Sequence, residues 1–282
     1  MTGWCMIIDV EKCENCNNCF LSCKDEFVGN DWPGYSVSQP LHGQRWIDIL
    51  RKERGQFPLI DVAYLPVPCM HCDSAPCIRA AKDGAVYKRK DGIVIIDPER
   101  AKGQRDIPKS CPYGVIWWNE ERSVPQKCTF CAHLLDEGWK EPRCVQACPT
   151  GALRVLKAEE EDMNRIVEEE GLEAFHPEYR TSPRVLYRNL YRYLRCFLAG
   201  SIAFEREGIV DCAEGAKVVL RKGGEKLGEA TADNYGDFKI DRLEQDSGRY
   251  TIEITYKEYK KKIIEVEIKE SINLGTILLQ SV

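Results

Sequence analysis

The run Cys13-Glu-Asn-Cys16-Asn-Asn-Cys19-Phe-Leu-Ser-Cys23 sets four thiols at C-x2-C-x2-C-x3-C spacing. A second run, Cys128-Thr-Phe-Cys131 followed by Cys144-Val-Gln-Ala-Cys148-Pro149, repeats it as C-x2-C-x12-C-x3-C. Two further pieces complete the pattern: Cys69-Met-His-Cys72-Asp-Ser-Ala-Pro-Cys77, and Cys111 alone in Cys111-Pro-Tyr-Gly114. The chain has 15 cysteines, an odd number, and 13 of them fall between Cys5 and Cys148. Repeated C-x-x-C spacing without a secretory leader points away from a disulfide framework and toward metal.

The spacing has a chemical reason. Three thiolates on a tight loop reach three irons of one [4Fe–4S] cubane, because short steps keep the sulfurs on the concave side. The fourth cysteine lies past the loop and ligates the other cluster in two-cluster ferredoxins. Applied here, this rule gives three quartets. Cys13, Cys16, Cys19 and Cys148 hold one cluster; Cys128, Cys131, Cys144 and Cys23 hold a second; Cys69, Cys72, Cys77 and Cys111 hold a third. Zinc also accepts paired C-x-x-C, but the first run crowds too many thiolates for one tetrahedral ion.

The tails of the runs repeat one another. Cys148-Pro-Thr-Gly-Ala-Leu153 matches Cys111-Pro-Tyr-Gly-Val-Ile116, and both match Ala81-Lys-Asp-Gly-Ala-Val86. Ala81 therefore stands where a fourth ligand belongs. Counting back from Cys111 by the first spacing puts Ala101, Gln104 and Ile107 in three more ligand places. Under cross-ligation all four would serve one cluster, a coincidence expected roughly one time in 450 for random loss. A whole fourth cluster has been removed.

The remaining cysteines, Cys5, Cys196 and Cys212, read as small apolar residues. His71 reads as a hydrogen-bonding neighbour of a cluster rather than a ligand. Lys24 follows Cys23 where proline is usual, which removes no ligand.

Of the 282 residues, 43% are hydrophobic and 30% charged, and the net charge is −5. That balance argues against nucleic acid, whose backbone demands a basic surface. Arg184, Arg188, Arg192 and Arg195 form a local basic stretch, read as solvated or partner-facing. The start of the chain lacks the pattern of a secretory signal. The apolar run from Cys196 to Phe204 falls short of the ~20 residues of a membrane helix. A cytoplasmic protein without direct membrane insertion is expected.

The fold class expected is α+β: a ferredoxin-like multi-cluster domain over residues 1–157, a helix and connecting arm over 158–198, and an all-β sandwich of about seven strands over 199–282. Val86–Arg89 and Ile93–Asp97 flank Asp91-Gly92 as a hairpin. Residues 158–171 read as a helix with Met163, Ile166 and Val167 on one face. In the tail, Tyr250, Ile252, Ile254 and Tyr256 alternate, as do Ile264, Val266 and Ile268.

The order of the runs, Cys111-Pro-Tyr-Gly114 and Pro68-Cys-Met-His-Cys72 resemble the iron–sulfur subunits of DMSO-reductase-type molybdopterin enzymes over residues 3–198. That resemblance implies a large catalytic partner subunit carrying a bis-molybdopterin guanine dinucleotide molybdenum site, which this chain does not hold. Asn17-Asn-Cys-Phe20, Asp31-Trp-Pro-Gly-Tyr35, Arg51-Lys-Glu-Arg-Gly55 and Gln126-Lys-Cys-Thr129 are similar to the transhydroxylase branch of that family. There a hydroxyl group moves between polyphenols without net oxidation. The tail, with Gly215-Ala-Lys-Val-Val-Leu220, Gly236-Asp-Phe238 and Gly248-Arg-Tyr250, resembles transthyretin-like, carboxypeptidase-regulatory domains and carries no catalytic constellation. Two other roles stay open: a relay passing electrons to a membrane or soluble acceptor, and a subunit whose clusters mainly staple its core.

Overall fold

Strand Gly3–Asp9 is nearly all apolar and almost wholly buried, as befits a strand covered on both faces. In the computed structural model, which describes residues 2–281, it is the centre of a three-stranded sheet. On one side it pairs antiparallel with Leu153–Ala158, from Gly3 opposite Ala158 to Ile8 opposite Leu153. On the other it pairs parallel with Val185–Arg188, from Met6 opposite Val185 to Asp9 opposite Arg188. The ends of the metal-rich segment are thus drawn to one strand.

The chain divides into two compact units. The first takes the chain up to Arg51 together with Tyr64–Leu190; the second takes Lys52–Ala63 and the chain from Tyr191. This division differs from the boundaries expected at 157/158 and 198/199. The reason is pairing: the expected connecting arm supplies Val185–Arg188 to the sheet of the first unit, and Tyr187 is fully buried there with its hydroxyl donating to the Pro66 carbonyl at 2.9 Å.

Small elements fill the rest of the first unit. Val86–Lys88 pairs with Val94–Ile96 through a turn at Gly92, where φ is 86° and glycine carries no Cβ penalty. Trp117–Asn119 pairs with Val124–Gln126. The expected helix forms over Glu160–Glu170, with Met163, Ile166 and Val167 half-buried, and ends at Gly171 in the left-handed conformation. Ile47–Gln56 and Leu59–Pro68 form a hairpin not anticipated from the sequence.

In the second unit, the sheets are four-stranded. One joins Cys196–Arg206 to Ile209–Cys212, Asp237–Leu243 and Ile272–Leu279; the other orders Glu225–Thr231, Lys217–Lys222, Gly248–Thr255 and Lys262–Ile268. One apolar core unites them: Leu198, Ile202 and Ile277 from the first sheet meet Val218, Leu220, Ile252 and Ile254 from the second. Eight strands form where about seven were expected, and the first begins at Cys196 rather than Ala199.

A charged group lies inside this unit. The Arg54 side chain is 1% exposed and bonds to both Asp61 and Asp241, the latter at 3.0 Å. Its guanidinium also donates to the Arg195 carbonyl and lies over the Phe197 ring, 5.3 Å from the centroid. Burial works to raise the Asp61 pKa, but hydrogen bonds from Arg54 and Arg192 prevail and hold it at about 2. A carboxyl depressed in the folded state gives stability that is present above its ordinary pKa and lost as pH falls through the folded value.

Removing both partners leaves an uncompensated buried guanidinium. The double change Asp61→Asn with Asp241→Asn should destabilise this unit by about 3–5 kcal/mol, read as a lowered unfolding midpoint. In the unchanged protein the unit should lose stability as pH falls from about 4 toward 2; a midpoint flat across that range would contradict the arrangement.

Candidate metal centre

Helix Asn18–Phe27 carries Cys19 and Cys23. Four residues apart, they share one helix face about 6 Å apart along the axis. Helix Arg143–Gln146 carries Cys144, and Cys148 follows just past its end at the same interval. Each pair hands one sulfur to each of two neighbouring groups. Cys23 and Cys144 join Cys128 and Cys131 around one small cavity, walled by apolar side chains including Met6, Phe27, Trp46 and Phe130. Cys19 instead lies within electrostatic reach of Cys13, Cys16 and Cys148. The two helices thus bring Cys23 and Cys144 toward one group of cysteines, and Cys19 and Cys148 toward another.

The third quartet is also together. Cys69, Cys72, Cys77 and Cys111 line a second small cavity, with Met70, Val94, Val115 and Ile116 as apolar walls. Cys111 lies 34 residues beyond Cys77, yet it lies within electrostatic reach of Cys69.

The loops that hold these sulfurs are bent tightly. Asn15, Asn17, His71, Phe130 and Cys131 adopt positive φ between 45° and 61° without being glycine. Such residues carry a backbone cost that surrounding structure must offset. Here the bend turns amides toward sulfur: Phe130 N–H donates to Cys128 Sγ at 3.3 Å and His71 N–H to Cys69 Sγ at 3.5 Å. Amide–sulfur bonds of this kind favour the thiolate and tune iron–sulfur potentials.

The quartets stand in series. Cys144 of the middle group lies within electrostatic reach of Cys19, and Cys128 of the same group within reach of Cys69. The Cys23 quartet is therefore central. Cys16, at one end, is exposed, and Cys13, Cys148 and Cys111 are half-buried, whereas Cys23, Cys131 and Cys144 are buried.

Burial pushes the free thiols up, to about 12 for Cys19 and Cys72 and about 11 for Cys77 and Cys128, with Cys23, Cys131 and Cys144 also raised. The protein by itself does not hold these groups as thiolates; a metal has to displace their protons. Among the described residues, no three Cys, His, Asp or Glu side chains converge on a point that could hold a single ion. Four sulfurs framing a cavity suit a polynuclear cluster; four sulfurs on zinc would stand about 2.3 Å from one centre.

The positions read as a lost ligand set are closed. Ala101 and Ile107 are fully buried. The Gln104 carboxamide bridges the loops, accepting from Lys82 N–H at 2.8 Å and donating to the Lys82 and Arg100 carbonyls at 3.3 and 2.8 Å. A side-chain amide staples what cysteine ligands would otherwise join. Cys5 and Cys196 are buried, as expected of small apolar residues; Cys212 is exposed instead, on the short outer strand Ile209–Cys212.

Several neighbours were not anticipated. The Gln39 carboxamide donates to Cys23 Sγ at 4.0 Å. Thr181, 2% exposed, hydrogen-bonds to Cys72 and shares a 2.7 Å bond with the Tyr113 hydroxyl. Two main-chain bonds, Asp73 N–H to Ser182 O and Ser74 N–H to Thr181 O, lay this segment against the cysteine loop. His71 is fully buried; its Nδ1 accepts from Val94 N–H at 3.0 Å, so the ring proton sits on Nε2, which has no hydrogen-bond partner among the described residues. No local motif marks Gln39 or Thr181, whereas His71 stands inside Cys69-Met-His-Cys72 and was read there as a hydrogen-bonding neighbour. The donor-rich tripeptide 180–182, far from any cysteine, is silent in sequence.

Comparison with known proteins agrees with this geometry. The 4Fe-4S dicluster domain family matches residues 60–158. The chain is 49% identical to the pyrogallol hydroxytransferase small subunit of Pelobacter acidigallici, over 99% of this chain and 100% of that one. It is 28% identical to the arsenate respiratory reductase iron–sulfur subunit of a Shewanella species, over 64% of this chain and 94% of that one. The thiosulfate reductase electron transfer subunit of Salmonella typhi is 33% identical over 57% and 80%. No helix among the described residues is long and apolar enough to cross a membrane.

Because raised thiols keep their protons until metal displaces them, iron binding releases protons and weakens as pH falls. Iron loss to a chelator should accelerate on moving from mildly alkaline to mildly acidic buffer, and reconstitution should acidify an unbuffered solution. A rate of loss independent of pH would contradict the burial described.

Proposed function

The chain belongs to the iron–sulfur electron-transfer subunits of molybdopterin oxidoreductases, and from that premise we propose that it carries three [4Fe–4S] clusters in a transhydroxylase-type complex. The Cys13, Cys23 and Cys69 quartets each hold one. The larger partner subunit carries a bis-molybdopterin guanine dinucleotide molybdenum site and does the substrate chemistry, the transfer of a hydroxyl group between pyrogallol-type polyphenols. Full-length similarity to the pyrogallol hydroxytransferase small subunit supports this choice over a relay to a membrane acceptor. The complex is placed in the cytoplasm.

The observation that carries the reading is the serial arrangement of the quartets, with Cys16 exposed at one end. A cubane supplies one-electron exchange. The chain's own residues do the rest: Met6, Phe27, Trp46 and Phe130 keep water from the central cavity, and amides aimed at sulfur favour the thiolate. The exposed Cys16 end is the face turned to the partner. The second unit, with no catalytic constellation, is read as a transthyretin-like docking or stabilising module.

Pairing gives the test. In the complex, Cys111→Ala and Cys69→Ala should abolish the same paramagnetic signal, although the residues lie 42 positions apart in sequence. Cys148→Ala should match Cys13→Ala, and Cys23→Ala should match Cys128→Ala. Each variant should lose most of one cluster and keep the others. Different signals lost within a pair would overturn the assignment.

A further inference from the structure

Lys127 is a cation shut away from water. It is 2% exposed, and among the described residues no carboxylate stands within ion-pair distance of it. Its ammonium donates to the Val94 carbonyl and, at 3.0 Å, to the Cys128 carbonyl. A buried ammonium met only by neutral dipoles is costly, and proteins normally place an anion beside it. A methionine would pack the same space without that cost.

The anion is supplied by what lies on either side. Lys127 sits where the central quartet meets the Cys69 quartet. Its two acceptors tie it to both: Cys128 belongs to the central quartet, and Val94 lines the cavity of the Cys69 quartet. The strand Val94–Ile96 fixes the position, since Val94 uses its carbonyl on Lys127 and its N–H on His71 Nδ1.

We propose that Lys127 is the shared counter-ion of the clusters held by the Cys23 and Cys69 quartets, and that it raises the reduction potential of both. The inference rests on the cluster assignment proposed above. A cubane bound by four thiolates is an anion and becomes more negative when it accepts an electron. A fixed ammonium therefore favours the reduced form more than the oxidised one. Electrons delivered from the catalytic subunit through the exposed Cys16 end then settle in the inner pair. For a reaction without net oxidation, such a well holds electrons within the complex until they are returned.

The test uses the anaerobically purified complex with its large subunit, comparing Lys127→Met and Lys127→Arg with the unchanged protein. Iron per chain is measured, and each cluster's midpoint is followed by electron paramagnetic resonance during a potentiometric titration. With full iron, Lys127→Met should lower the two inner midpoints by a tenfold or greater change in the reduction equilibrium, about 59 mV for one electron. The Cys13-quartet cluster should move less, and Lys127→Arg should stay near the unchanged protein. Inner midpoints that stay put, or three that move equally, would overturn the proposal. If Lys127→Met loses the inner clusters while Lys127→Arg keeps them, charge is what the site needs and the proposal stands. If both variants lose them alike, shape and not charge is at work, and the proposal fails. An unchanged complex holding far less iron than three cubanes overturns the cluster assignment, and this inference with it.

Discussion

Cysteines from five stretches of chain spread between residues 13 and 148 are gathered into neighbouring groups, and that convergence is the constraint the first unit obeys. The central strand ties Gly3–Asp9 to both Leu153–Ala158 and Val185–Arg188, closing the segment on itself. Two helices then place cysteines four residues apart, so that each gives one sulfur to each of two groups. Loops that no apolar side chain would bend, at Asn15, His71 and Phe130, are held in left-handed conformations with amides aimed at sulfur. The cost of those bends, and of burying thiols whose protons are held tightly, is recovered when metal binds, so loading and folding are one process.

The second unit obeys a different rule. Two four-stranded sheets bury aliphatic side chains against each other, with Ile252, Ile254, Val218 and Leu220 fully enclosed. Its one expensive feature is Arg54, whose charge is tolerated because two carboxylates and a carbonyl meet it. A buried ion pair of this sort contributes more to a unique arrangement than to net stability. Lys127 differs: Arg54 meets two carboxylates, whereas Lys127 meets carbonyls and no carboxylate among the described residues.

Legibility followed range. Cysteine spacing is local chemistry, so the grouping of the cysteines and the hairpin around Gly92 could be read directly. The alternation at Tyr250, Ile252, Ile254 and Tyr256 marked a strand for the same reason, and all four are buried. What depended on packing stayed hidden. The serial order of the quartets follows from how two helices meet. The Ile47–Gln56 and Leu59–Pro68 hairpin was masked by Arg51, Lys52, Glu53 and Arg54, whose charges disguise a strand, and Arg54 is buried only because Asp241 arrives from 187 residues away. Val185–Arg188 was hidden by its shortness and by Pro183 and Arg184 before it. Thr181, Gln39 and Lys127 act on sulfur or cluster charge from positions no motif singles out.

The account stands most directly on the content of the metal sites. Iron and acid-labile sulfide should be measured per chain in the anaerobically purified complex, after subtracting any iron the large subunit is shown to hold. About twelve of each per chain is the result expected for three cubanes. Zinc in place of iron, or iron without inorganic sulfide, would contradict it.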